Sequence, residues 1–218
     1  MSRTKTDLQE GQLAEVITAS ITSLIAEAGR SHLQGGKKPR FGSFIRIDSP
    51  ENDLAIFAIV FDVITNPPDS VHKPSALGLT REKLRQEQPH IFSLLKTEVH
   101  AQINGFRQGD SSSIYQHLPP QPPEVHDFVY PAEREEIIQL SSNFEYLRLL
   151  TQVSSPPADE LIAASIREAA RARAGLQEAE KSAQEAYLIE AGRAITQLFR
   201  SDYEHMLSIV RKIKPQSL

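Results

Sequence analysis

Phosphate chemistry would fall first to "SHLQGGKK", Ser31 to Lys38, where two glycines precede two lysines as they do in a nucleotide-cradling loop. Such a loop needs a glycine at its first position for the tight turn, and a hydroxyl after its lysine for magnesium. Ser31 and Lys38 stand at those two positions, so the stretch reads instead as a basic surface loop with cations Lys37, Lys38 and Arg40. Metal ligation would fall to His32, His72, His90, His100, His117, His126 and His205, which show neither H-E-x-x-H nor close carboxylate pairing. No metal and no cofactor is expected. Ser111 to Ser113 lack the glycine elbow and adjacent base of a serine nucleophile. Glu133, Glu135 and Glu136 gather at an expected helix start, where the helix dipole accounts for them better than acid–base catalysis does. The chain therefore reads as non-enzymatic, with no catalytic residue.

What remains is charge. Arg167, Arg171 and Arg173, with Arg193, Arg200, Arg211, Lys212 and Lys214, alternate with glutamates in the manner of a salt-bridged, solvated helix face. Arg167 and Arg171, together with Lys37, Lys38 and Arg40, are the candidates for a nucleic-acid contact. The net charge of −4 gives the chain as a whole no attraction to polyanions, so any such contact must be local, and direct binding is not the first expectation.

The elements that would position these groups change character along the 218 residues. The lack of cysteine excludes disulfides, thiolate metal sites and cysteine nucleophiles. No apolar run approaches a membrane span, and "MSRTKTDLQEGQ" lacks the apolar stretch of a signal peptide, so a cytoplasmic protein is expected. Up to about residue 130 the sequence favours β-branched residues, aromatics and turns; beyond it Ala, Glu, Arg, Gln and Leu dominate. An α+β protein is predicted, a small β-barrel followed by a C-terminal helical domain or hairpin. The expected boundaries are a flexible 1–11, a barrel over 12–131 with an insertion at about 66–94, and helices over 132–218.

Residues 12 to 29 fit a helix face or a strand, and the density of Val16, Ile17, Thr18, Ile21, Thr22 and Ile25 favours a strand or kinked strand pair. "SFIRI" predicts a strand, and "LAIFAIVFDVIT", apolar on both parities, predicts one buried on both sides. Thr80 should cap a short helix ended by Pro89. From Leu95 to Phe106 an alternation of apolar and polar residues predicts a half-exposed strand. "IYQHL" is expected to return beside it, and "DFVYP" to form a last short strand.

"PPQPP" satisfies P-x-x-P twice, Pro119 with Pro122 and Pro120 with Pro123, but between ordered segments a stiff connection is the better reading than a recognition peptide. Val125, Phe128 and Val129 are expected to pack back on the core. Two helices are predicted over 133–153 and from Ser155 onward, with Ser155 as cap and prolines in the first turn. A last one over 184–213 should bury Leu188, Ala191, Ile195, Leu198, Tyr203, Met206, Ile209 and Val210.

The order "LAEVITASITSLIAEA", "RFGSFIRI", "LAIFAIVFDVIT", "EVHAQINGF" and "LPPQPPEVHDFVYPAEREEI" resembles the HAS-barrel. That barrel is shared by HerA-type DNA-translocating ATPases and the N-terminal crown of rotary ATP synthase subunits. It is similar also to stand-alone HAS-barrel proteins that carry helices in place of the ATPase domain. No Walker A follows the barrel, so ATP hydrolysis and translocation do not carry over.

The resemblance implies an assembly or binding module acting through protein–protein contacts, with a hexameric HerA-like ATPase or a NurA-type nuclease as partner. Two alternatives stand: an accessory factor of a rotary ATP synthase or other membrane complex, and direct nucleic-acid binding through the basic helices. A homo-oligomer is compatible with each. Because surface insertions often carry function, His72, Lys73 and Leu79 are the candidate partner-binding positions.

Overall fold

The computed structural model describes residues 11–28, 39–66, 78–89, 91, 95–174 and 178–214. The fold is α+β, a closed barrel of six strands followed by helices. The strands are β1 (Ala14–Ala19), β2 (Ser23–Ala28), β3 (Phe44–Ser49), β4 (Leu54–Asn66), β5 (Lys96–Gln108) and β6 (Phe128–Pro131). They close in the order β1-β2-β5-β4-β3-β6, each neighbour antiparallel. Between β4 and β5, α1 (Arg81–Glu87) is capped by Thr80, whose hydroxyl accepts the Lys83 N–H.

The described part of the first segment, residues 12 to 28, is thus a hairpin. Ser20 turns it, its hydroxyl accepting from the backbone N–H groups of Thr22 and Ser23. A register shift between Val16 and Thr18 marks a bulge, which is why no single period described the segment. Ala14, Val16, Leu24 and Ala26 point inward, where they meet Ile45, Ile47, Ile56, Ala58, Val60, Val99, Ile103 and Val129. β4 is buried on both faces as expected: Ile56, Ala58 and Val60 fill the barrel, while Phe57 and Ile59 face the helices.

β5 departs from the half-exposed strand expected of it. Residues 101 to 106 are all buried, because helices and the 114–115 segment cover the outer face that alternation alone would leave to solvent. Tyr115 bridges to Phe106, so "IYQHL" does return beside the strand.

The proline stretch runs along the barrel before entering β6. Pro119 and Pro123 are buried, and Asn52 Nδ2 donates to the Pro122 carbonyl at 3.3 Å. His126 N–H donates to Val16 O at 2.9 Å. Each P-x-x-P register thus has one proline turned inward, unsuited to docking in a partner's groove. Val129 is buried, but Val125 is 51% and Phe128 37% exposed. Their expected packing on the core is therefore corrected: Val125 lies ahead of β6, and within β6 alternation turns Phe128 outward where Val129 points inward.

Helices α2 (Arg134–Leu140), α3 (Tyr146–Leu150), α4 (Ala158–Arg173), α5 (Glu178–Leu198) and α6 (Tyr203–Ile213) follow. The helix expected over 133–153 is two, because Phe144 adopts a positive φ of 61° that interrupts the turn. Pro157 takes the cap position of α4 in place of Ser155, with both prolines ahead of the first turn. The helix expected over 184–213 also breaks, where Asp202 caps α6 by accepting the His205 N–H at 3.2 Å.

Ala191, Ile195 and Ile209 are buried, and Leu188, Leu198, Met206 and Val210 pack partly on the core. Tyr203, expected inside, is 67% exposed, because the new helix start turns it outward. The helices share one apolar cluster with Phe44, Phe57 and Ile59 on the outside of the barrel. At Gly42 (φ 77°), a Cβ would lie 2.5 Å from Ala164 Cβ, so α4 rests directly on the turn into β3.

Candidate functional site

Several polar groups join the barrel to the helices. Arg46 on β3 pairs through Nε with Asp48 at 2.9 Å and through Nη1 with Glu136 at 3.2 Å. Arg107 on β5 reaches the same Glu136 oxygen at 3.2 Å. Glu136, only 7% exposed at its side chain, also accepts the Glu133 N–H at 2.9 Å, capping α2. Burial alone would lower the pKa of Arg46, but Glu136 and Asp48 outweigh it and hold it above its ordinary value.

Deeper in the helices, the hydroxyls of Tyr146 and Tyr187 lie 3.3 Å apart. Arg173 stacks its guanidinium 3.9 Å from the Tyr187 ring centroid and donates to Ser141 Oγ and to the carbonyls of Ala169 and Ile138. Burial pushes both phenols up, Tyr146 furthest, with its Tyr187 partner adding to the shift. These groups are engaged in structure, and Arg173 turns inward where a solvated face was expected.

Outward-facing cations gather elsewhere. Arg40 Nη2 and Arg171 Nη1 share Glu168, at 3.0 and 2.8 Å, so the loop before β3 and helix α4 present their arginines together. One turn back along α4, Arg167 donates to the Lys212 carbonyl at 2.9 Å, engaging a terminal carbonyl of α6. Lys212 in turn pairs with Asp159 and Glu160 at 2.7 Å, and Ser208 donates to Asp159. Burial would raise Asp159, but hydrogen bonds from Lys212 and Ser208 hold it below its usual range.

Between α4, α5 and the end of α6 lies an open groove of about 760 Å³, with Ala170 and Leu188 in its wall and Arg167, Arg171, Arg211 and Lys214 around it. Of the sequence-derived candidates, the structure brings Arg40, Arg167 and Arg171 to this side of the helical layer. Leu79 stands apart, 39% exposed ahead of α1, a helix with no buried residue. Lys37, Lys38, His72 and Lys73 lie outside the described residues.

Arg211 and Lys214 were legible only as members of a salt-bridged face. Among the described residues neither makes an ion pair. Among the described residues no three His, Asp or Glu side chains are placed to share a metal ion, and no helix is long and apolar enough to cross a membrane. No known family model matches the sequence, and no curated protein matches it.

Proposed function

We propose that this chain is a non-catalytic assembly module of the HAS-barrel type that acts through protein–protein contacts, with a HerA-like hexameric ATPase or a NurA-type nuclease as its partner. The observation that carries the reading is the closed six-stranded antiparallel barrel, assembled from the very segments whose order resembles that family and followed directly by helices. Its inward-turned ionisable groups support the reading by their use: Glu136 joins β3, β5 and α2, and Arg173 clamps α4 to the C-terminal end of α2. The assignment of partner rests on family analogy.

The test is recovery of the full chain from native lysate under mild salt. A stoichiometric ATPase or nuclease in the recovered complex is the expected result. Recovery of the chain alone would sink the proposal.

A further inference from the structure

We infer that the face formed by α6 and the groove beside it is the docking site for an acidic, amphipathic helix of the partner protein, an inference that rests on the assembly reading above. Along α6, Tyr203, Leu207 and Arg211 fall four residues apart and so form one outward stripe. Beside this stripe lies a second depression of about 570 Å³, lined by those three residues and sharing Arg211 and Lys212 with the larger groove.

The two depressions thus make one strip, apolar at the start of α6 and basic at its end. From Tyr203 to Lys214 it runs roughly 16 Å along the helix, about three turns of a partner helix at 1.5 Å per residue.

Charge decides the class of occupant. Arg211 and Lys214 are exposed and have no ion-pair partner among the described residues, so they can take carboxylates at no cost to the fold. Tyr203, 67% exposed, and the partly buried Leu207 and Leu188 offer apolar contact that a phosphate backbone would not use. Polyanion binding wants a row of uncommitted cations. Here Arg171 is held by Glu168, Arg167 is engaged with the end of α6, and Glu185 and Glu204 stand on the rims. An acidic helix whose apolar side chains meet Tyr203 and Leu207 and whose carboxylates meet Arg211 and Lys214 satisfies both halves.

The probe is a fluorescein-labelled helical peptide of about 18 residues with leucines at i, i+4 and i+7 flanked by glutamates, titrated with the full chain by anisotropy. Saturable binding that weakens roughly tenfold in the double variant Arg211→Glu, Lys214→Glu, or about 1.4 kcal/mol, is expected. Tyr203→Ala should weaken it independently, with thermal unfolding unchanged because the side chain is exposed; the neutral double variant Arg211→Gln, Lys214→Gln, which sets no anion against the α6 dipole, should weaken binding in the same direction with its thermal unfolding also near the parent's.

Absence of saturable peptide binding, or tighter binding of a labelled single-stranded DNA of similar length, overturns the inference. Co-purification separates the two claims. If the charge-reversed variant still recovers the partner, the docking site is wrong and the assembly reading stands; if the parent chain recovers none, the assembly reading itself falls.

Discussion

At the scale of single residues, Glu136 bears on stability more than any surface charge. It is nearly inaccessible, meets both Arg46 and Arg107, and caps α2. Removing it leaves Arg107, largely buried, without its carboxylate, while Arg46 keeps only Asp48 and the more distant Glu133. Glu136→Ala is expected to cost about 2–4 kcal/mol in denaturant unfolding, whereas Arg193→Ala, which removes an exposed i,i+3 pair with Glu190, should stay within about 0.5 kcal/mol.

The tyrosine pair makes a prediction about alkali. Both phenols are raised above the ordinary tyrosine value of 10.0 in the folded chain. The neutral forms therefore stabilise the fold fully below pH 10, and that contribution is lost as pH rises from there toward the folded values, because only the unfolded chain releases its protons readily. The double variant Tyr146→Phe, Tyr187→Phe should show a flatter alkaline limb in melts between pH 9 and 11. Asp159 is shifted the other way: its contribution is present above the ordinary aspartate value of 3.8 and is lost as pH falls through the lower folded value. Asp159→Asn should accordingly flatten the acid limb; an unchanged acid limb would mean that Lys212 does not hold α6 to α4 through this carboxylate.

Elements were legible in the sequence wherever one physical signal dominated. β4 announced itself by apolar residues on both parities, and its two faces do serve two cores, barrel inside and helices outside. The hairpin of β1 and β2 was only half legible, because a bulge at Val16 to Thr18 shifts the parity that would have separated strand from helix.

β5 misled for the opposite reason. Its polar alternation is real, but Gln102 and Asn104 are buried under elements that the local sequence does not specify. The two helix breaks were missed because each rests on a single residue, the positive φ of Phe144 and the Asp202 cap, within otherwise helical composition. The break before α6 is what exposes Tyr203, so the docking stripe could not be read before the break was known.

At this scale the contact between layers gives a test: Gly42→Ala would place a methyl 2.5 Å from Ala164 Cβ at a φ of 77°. A loss of about 2–4 kcal/mol is expected in chemical denaturation, from overpacking and backbone strain together. A variant as stable as the parent would show that α4 does not rest on the barrel.

For the whole molecule, barrel and helices are bonded by a common apolar cluster and by the Glu136 network. The stiff proline segment is part of that frame, with Pro119 and Pro123 turned in and Val129 anchoring the closing strand. Sequence order pointed to the barrel; the basic strip on α4 and α6 needed three helices placed in space before Arg167, Arg211 and Lys214 could be seen together.

We propose that the strip along α6 holds the chain in an assembly. Its most direct test is the native mass of the untagged chain in fresh lysate, followed by identification of what travels with it. Elution well above the 24.3 kDa of the chain, together with an ATPase or nuclease in fixed ratio, is the expected result. Elution at the mass of the isolated chain, with no protein in constant proportion, would contradict it.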